Sequence, residues 1–373
     1  MGHRRGNREG SIYQRKDGQW CAAATTPDGR RKVLYGSTRE EVRRKLTGVQ
    51  HSIDTGAYFS SGGLTLGKYL DQWLQDVVKP SVRRWTYLGY EVHVRLHIKP
   101  TIGQIALDRL TPMQVQFMIN RKLEEGLSPK SVKYIRGTLR TALNQAIRWG
   151  LLSRNAATMV ELPRASRYEI RPFTSDEARR FLASIKGDRL EALYSVALTM
   201  GLRQGEALGL RWRDVDLEMG YIRVSKQLQR IDRKLQLVDL KTDRSRRTLV
   251  MPASIVKGLR EHQARQADER GPGGGSISPD DLVFVTPEGE PLEGTTVSRH
   301  FHRHLDRAGL PQRRFHDLRH SCATLLMVQG VSPRVVMDVL GHSEIAMTMN
   351  TYSHVIPELR RDAADRMEEL IGR

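Results

Sequence analysis

The sequence predicts three domains. A small N-terminal three-stranded sheet with one helix comes first, then an all-α domain, then a mixed, mainly-α domain with a small antiparallel sheet. Three observations predict this. The chain has 373 residues, enough for two or three domains with proper cores. Two Asp-Gly pairs sit between alternating runs near the N-terminus, a strong hairpin signal. Residues 65–160 then show apolar residues at helical spacing without convincing strands, and strand patterns return only after residue 220.

The elements follow in order. SIYQRKDGQWCAAATT has strand-like runs around Asp17-Gly18, and TTPDGRRKVLYG has two more around Asp28-Gly29. Residues 10–36 are therefore expected to form a small sheet. STREEVRRKLTGVQHSI continues as a helix, with Ser37 or Thr38 as N-cap and Glu40 or Glu41 three residues on. This places the first domain at 1–60, and SSGG at 60–63 reads as a linker. The second domain, 65–160, is expected to hold four or five helices, among them LGKYLDQWLQDVV, TPMQVQFMINRKLEEG and SPKSVKYIRGTLRTALNQAIRWGLL. Thr111-Pro112 and Ser128-Pro129 each put proline just inside a helix start. ELPRASRYEIRPF at 161–173 combines prolines with charges and reads as an interdomain linker. FTSDEARRFLASI restarts a helix with Thr174 and Glu177 as a capping box. In the third domain, 174–373, YIRVSKQLQRID and KLQLVDLKTDRSRRTLVMP look like strands of one antiparallel sheet; the rest is helical, interrupted by the glycine-rich loop GPGGGSISPDD. No internal repeat of fixed period is apparent.

Charge narrows the partners. Lys and Arg number 61 against 42 Asp and Glu, a net charge of +19 with a pI near 10.2. Such an excess implies a polyanion, and nucleic acid is the first expectation. No stretch approaches the apolar length that spans a bilayer, so a membrane partner is not expected. The opening MGHRRGNREG has no apolar core after its charges and does not read as a secretory signal, and Gly6 stands where a myristoylation motif needs Ser or Thr. Cys21 and Cys322 are far apart and suggest no disulfide framework, which fits a reducing cytosol.

Residues 315–320, FHDLRH, raise the chemical question: what needs imidazole and guanidinium so close together? A metal site is disfavoured. His316 and His320 share a helix face, but Asp317 stands where the zinc-protease pattern needs Glu, and a guanidinium beside a dication is unfavourable. For His320 alone, a histidine hydrogen-bonded within a packed helix pair is the better reading. The third option is a phosphate clamp, and the companions favour it. GLRQGEALGLRW at 201–212 puts an arginine after the end of an apolar helix, KTDRSRR at 241–247 puts Lys241 at a strand end or turn, and LGHSEIAMTMNTYSHV at 340–355 adds a histidine and a tyrosine.

Together these resemble the tyrosine recombinases, the lambda-integrase family, of the phage or integrative-element type. The matching features are Arg in G-L-R-x-G-E, Lys in K-T-x-x-S-x-R, the boxes H-D-L-R-H and L-G-H, and Tyr in T-Y-S-H, all in the family's order. The resemblance covers 174–373 in motif and the rest in layout, and no key position departs from the pattern. It implies that Arg203 and Arg319 grip the non-bridging oxygens of the scissile phosphate, where charge builds in the transition state. It implies that Tyr352 is the nucleophile, forming a 3′-phosphotyrosyl link and releasing a 5′-hydroxyl. A phenol with a pKa near 10 needs help at neutral pH. His316 would be its base or proton shuttle, Lys241 the general acid for the leaving 5′-oxygen, and His342 a hydrogen-bond donor to the phosphate. Lys234 is the rival lysine, and Tyr221 and Tyr194 the rival tyrosines. Glu206 would order Arg203 and its turn, Asp317 would orient a neighbour or cap its helix, and His354 would lie on the surface.

The resemblance also sets the wider expectations. Residues 1–60 would be an arm-type DNA-binding domain, 65–160 a core-binding domain and 174–373 the catalytic domain, the last two clamping the crossover site. Partners would be double-stranded DNA with core and arm attachment sites and a homo-tetramer on that DNA, with room for an excisionase and a DNA-bending host factor. No cofactor and no metal are expected, since the phosphotyrosyl link conserves the bond energy. The setting would be cytoplasmic and nucleoid-associated, encoded by a bacterium or phage. The N-terminal domain argues against the shorter chromosome-dimer resolvases, which generally begin at the helical domain. DAADRMEELIG would pack on a neighbouring protomer or on its own domain. The alternatives are DNA relaxation by the same chemistry, as in type IB topoisomerases, and a catalytically inactive DNA-binding regulator.

Overall fold

The structure is a computed structural model. It describes residues 10–26, 29, 31–54, 63–164, 170–240, 245–271, 276–341, 367–369 and 371. Several expected features lie outside these residues: Asp28, most of SSGG, the middle of the 161–173 segment, Lys241, the centre of the glycine-rich loop, His342, Tyr352, His354 and most of DAADRMEELIG. The chain divides into two compact units, Met1–Arg167 and Tyr168–Arg373.

The first unit holds two separate apolar cores. In one, β1 (Ser11–Gln14), β2 (Trp20–Thr25) and β3 (Arg31–Gly36) form an antiparallel sheet in the order β1-β2-β3. Asp17 accepts the Gln19 N–H in the first turn, where Gly18 takes φ +81. The helix α1 (Arg39–Asp54) covers the sheet through Val42 and Leu46. Its start is a shared cap: Thr38 Oγ1 accepts the Glu41 N–H, and the Glu41 carboxylate accepts from Ser37 rather than from Thr38.

The other core is all-helical. α2 (Leu66–Trp73) runs on through the wider turn Leu74–Val78, and α3 (Arg84–Val92) through a similar turn at His93–Ile98. Both wide turns have one cause. Pro80 and Pro100 follow them, and a proline inside a helix lacks the N–H and clashes with the carbonyl four residues back. Shifting to five-residue spacing relieves the clash without ending the helix. α4 (Pro112–Glu124) and α5 (Pro129–Arg148) begin as the sequence predicts, with Thr111 and Gln114 in a capping box and Ser128 accepting the Ser131 N–H. Trp73, Tyr69, Ile98, Val115 and Leu139 fill the centre. The Tyr69 hydroxyl donates to the Ala142 carbonyl at 2.6 Å, satisfying its one buried polar atom.

The second unit begins with α6 (Ser175–Ser184), capped by Thr174 and Glu177 as predicted. α7 (Glu191–Met200) is buried on most of its surface, with Glu191, Ser195 and Thr199 on its one partly exposed face, and runs through the core. The short helix α8 (Gln204–Leu208) follows. The strand region differs from the single sheet read in the sequence. β4 (Val215–Asp216), β5 (Tyr221–Val224) and β8 (Arg247–Val250) form one sheet. β6 (Lys226–Ile231) and β7 (Lys234–Asp239) form a separate hairpin. The break falls at Ser225, between β5 and β6, where the Ser225 hydroxyl donates to Asp214 at 3.1 Å. Asp232 and Arg233, at φ +48 and +66, make the hairpin's two-residue turn, as type I′ geometry requires. α9 (Ala253–Arg270), α10 (Gly294–Arg307), α11 (Asp317–Val328) and α12 (Pro333–Leu340) follow among the described residues.

Candidate active site

Two turns build the site, and each depends on close approach. α7 ends at Gly201 with φ +62, a left-handed position where a Cβ would also meet Leu340 Cδ2 at 2.7 Å. The chain then reverses so that Arg203 starts α8. α8 lies so close on β6 that a Cβ on Gly209 would stand 2.7 Å from the Leu228 backbone nitrogen. The glycines of GLRQGEALG are therefore packing requirements, and they press Arg203 and Glu206 against the base of the β6–β7 hairpin.

Glu206 is the hub. It is 2% exposed, and its two carboxylate oxygens divide their bonds between two arginines. Oε1 accepts from Arg203 Nη1 at 2.6 Å, and Oε2 accepts from Arg247 Nη2 at 2.9 Å and from the Arg203 N–H at 3.0 Å. Burial by itself would push this carboxyl up, but Arg247 and Arg203 hold it down to about 2. Arg247 also donates through Nε to the Val339 carbonyl at 2.7 Å. Arg319 sits next to this chain. It is 1% exposed and donates through Nη1 to the Gly201 carbonyl at 2.8 Å, and through Nη2 to the Leu340 carbonyl. Two arginines thus hold the C-terminal carbonyls of α7 and α12, where the helix dipole is negative.

The two sequence-predicted arginines are therefore placed differently. The Arg203 side chain is 36% exposed, and Arg319 is buried as a brace. His316 stands at the start of α11. Burial lowers its pKa, and the charges of Arg319, Arg203 and Arg314 lower it further, so the ring is neutral near pH 7. Its neighbour His320 lies edge-on, ring centroids 5.0 Å apart, and burial brings its pKa down to about 4. Asp317, 1% exposed, pairs with Arg314 at 2.9 Å and accepts the Arg314 N–H, closing the turn before α11.

The structure thus brings together Arg203, His316 and Arg319 of the six predicted residues, while Lys241, His342 and Tyr352 lie outside the described residues. It also tests their rivals. Tyr194 is fully buried, its hydroxyl engaged with the Val297 carbonyl and His300, and burial pushes the phenol up, which removes it as a nucleophile. Lys234 stands at the turn end of the hairpin, opposite Ile231. α8 packs on that hairpin at Gln227 and Leu228, and Leu228 pairs with Leu237, about 10 Å along the strand from Lys234 by the rise of three residues. Arg247 is the site residue that the sequence reading left without a role. Its signal was already on the page, since it is the final Arg of K-T-x-x-S-x-R.

A buried carboxylate holding two arginines, beside a third arginine and a neutral imidazole, gathers positive charge in one place, and the scaffold that carries it is that of a tyrosine recombinase. The profile of the phage integrase family matches residues 171–358, and that of the phage integrase N-terminal SAM-like domain matches 65–123. A protein named tyrosine recombinase XerC-like from Caldanaerobacter subterraneus subsp. tengcongensis is 33% identical over 360 residues, covering 91% of this chain and 92% of its own. The Tn1549 transposon integrase, solved with a circular intermediate DNA, superposes with a TM-score of 0.70 at 23% identity, covering 82% of this chain and 99% of the other. The lambda integrase tetramer bound to a Holliday junction gives a TM-score of 0.55 at 22% identity, covering 89% and 95%. The chain belongs to the phage integrase family and is a site-specific DNA recombinase.

Proposed function

We propose that this recombinase integrates or excises a mobile element by cutting and rejoining DNA through a 3′-phosphotyrosine formed on Tyr352. The observation that carries the reading is the arginine cluster organised by Glu206. Arg203 and Arg247 pair with Glu206, Arg314 pairs with Asp317, and Arg319 is held by backbone carbonyls, so the described cluster carries more arginines than buried carboxylates and keeps a positive surplus. The phosphorane transition state is more negative than the diester, so fixed cations stabilise it more than the ground state. Arg203, the exposed one, grips a non-bridging oxygen directly. Arg319 holds the ends of α7 and α12 and adds its charge from below. Neutral His316 accepts the proton of the Tyr352 phenol, and His342 donates to a phosphate oxygen. Lys241, two residues after the end of β7 and in the K-T-x-x-S-x-R context, protonates the leaving 5′-oxygen in preference to Lys234 at the hairpin turn.

The wider assignment follows the same family logic. Residues 65–160 bind the core site and 174–373 cut it, while 1–60 bind arm sites. Four protomers assemble on the DNA, as the lambda integrase tetramer does on its Holliday junction. The setting is cytoplasmic, on the nucleoid; among the described residues no helix is long and apolar enough to cross a membrane.

The test is a suicide substrate nicked beside the cleavage point. Wild-type protein should trap a covalent protein–DNA adduct. Tyr352→Phe removes only the attacking oxygen, so DNA binding should persist and the adduct should vanish. Adduct at wild-type yield from that variant sinks the assignment of Tyr352. Two-site exchange by the wild type separates recombination from relaxation alone.

A further inference from the structure

We propose that Asp188, His300 and His304 form a binding site for a transition-metal dication such as zinc, which ties α10 to the turn between α6 and α7. Nothing in the recombination chemistry uses these residues. They are the group of three close metal-type ligands among the described residues, with one ligand atom from each lying within 4.8 Å of the others.

The side chains converge through separate constraints. His300 and His304 are four apart on α10 and share a face. Asp188 comes from the α6–α7 turn, where Oδ1 accepts the Leu190 N–H at 2.8 Å. That bond fixes the carboxylate and turns Oδ2 toward the imidazoles, 3.1 Å from His304 Nε2 and 3.4 Å from His300 Nε2. With bonds of about 2.0–2.1 Å, the ligand–ligand edge of a tetrahedral zinc site is roughly 3.3 Å, so both separations already fit.

The outer contacts orient the rings. His304 Nδ1 lies 3.1 Å from the Ser184 carbonyl, which only accepts, so Nδ1 carries the proton. The Tyr194 hydroxyl lies within hydrogen-bond distance of both the Val297 carbonyl, 3.1 Å, and His300 Nδ1, 3.0 Å, so Nδ1 of His300 faces outward to the phenol. Each ring therefore has its Nδ1 engaged outward and its Nε2 aimed at the same anionic oxygen. His304 Nε2, unprotonated while Nδ1 carries the proton, needs a second proton or a cation, and one dication would serve it, His300 Nε2 and the carboxylate together. This outward engagement of the second ring nitrogen is how ligating histidines are oriented.

Two imidazoles and one carboxylate suit zinc, cobalt or nickel rather than magnesium or calcium, which take oxygen ligands. His304 is 2% exposed, while His300 and Asp188 are 22% and 20% exposed, so the site is closed below and open on one side to water and entering metal. The ion would brace the scaffold rather than react. α7 runs from this turn to Gly201 and Arg203, and the other end of α10 holds Gln204 through the Gly294 carbonyl and the Ser298 hydroxyl, both at 3.0 Å. Arg303 and Arg307 act electrostatically on His300 and weaken the affinity for a cation.

The experiment uses the full chain stripped with a chelator, then titrated with zinc chloride against a chromogenic competitor and with cobalt chloride in the visible range. The expected result is one equivalent bound in the micromolar range, a higher Tm with metal than with chelator, and the cobalt bands of a four- or five-coordinate N₂O site. His300→Ala and Asp188→Asn should weaken binding by about 100-fold or more, and Tyr194→Phe, which removes an outer partner, by about 10-fold or more. His302→Ala should leave binding unchanged. Absence of stoichiometric binding to wild type overturns the proposal, as does binding that survives both His300→Ala and Asp188→Asn. The cobalt spectrum of wild type decides the matter even if a variant folds poorly, because weak, ligand-poor coordination there also overturns it.

Discussion

Glu206 divides its oxygens between Arg203 and Arg247, so its charge does two things at once: it offsets the buried Arg247 and it aims the more exposed Arg203. Glu206→Gln keeps the shape and removes the charge. Breaking a buried ion pair from one side costs about 3–5 kcal/mol, because the cations remain without their counter-charge. Urea melts of the full chain should show a loss of that order in the catalytic unit, and adduct formation should fall while DNA affinity changes little. Acid should act on the same groups in two steps. His320 has its folded pKa pushed down to about 4 from an ordinary 6.5, and that of His316 is lowered too. The unfolded state then binds the extra protons, so their stability contribution is full above pH 6.5 and is lost as pH falls below it. Glu206, held at about 2 against an ordinary 4.5, adds a second loss as pH falls from 4.5 toward 2. Its size is on the order of 3 kcal/mol. Tm measured against pH should show both steps in wild type and only the upper one in Glu206→Gln. For the leaving group, Lys241→Ala should slow cleavage of a normal phosphodiester strongly. A 5′-bridging sulfur needs little protonation, so it should restore cleavage to near the wild-type rate. A sulfur substrate that gives no rescue would show Lys241 to be structural.

At the scale of elements, glycine marks where backbones must touch. Gly209 lies against the β6 backbone, and Gly258 in α9 has nothing within 4 Å of its would-be Cβ. Gly209→Ala should therefore cost about 1–3 kcal/mol by overpacking and displace the hairpin base from α8. Gly258→Ala should be neutral or stabilising by about 0.5–1 kcal/mol, through helix propensity alone. Thermal melts of the pair decide whether close approach or glycine content matters. The helix starts at Thr111, Ser128 and Thr174 were legible because capping is a local contact, three residues long. The split of the strand region into a sheet and a hairpin was not legible. It depends on which strands pair: β5 pairs with β8, more than twenty residues on, while β6 pairs with its neighbour β7.

For the whole molecule, the separate core under β1–β3 leaves room for separate work. The described strands of that sheet carry Arg31 and Lys32, and Arg15 and Lys16 lie in its first turn. Such a basic surface fits the proposed role of arm-site binding, through a major groove and its phosphates. The fragment 65–373 should then bind and cut an isolated crossover site but lose protection of arm sites flanking it, and with them efficient integration. Footprinting of the full chain and the fragment on attachment DNA checks this. Protection confined to the core site in both would assign residues 1–60 to protein contacts instead.

The sequence by itself determined the family chemistry and the order of the elements. The boxes at 201–206, 241–247, 316–320, 340–342 and 351–354 are short, contiguous and in order, and hydrophobic periodicity and caps act within a few residues. Only the tertiary structure decided how those boxes meet. It joined Arg247 to Glu206 across 41 positions and buried Arg319 under the ends of two helices, against the Gly201 carbonyl 118 positions away. It removed Tyr194 from the chemistry and set it behind His300, 106 positions on. It brought Asp188 to the two histidines of α10. Such contacts depend on which helix faces close-pack, and close packing is settled by all the core side chains together rather than by any short stretch of sequence.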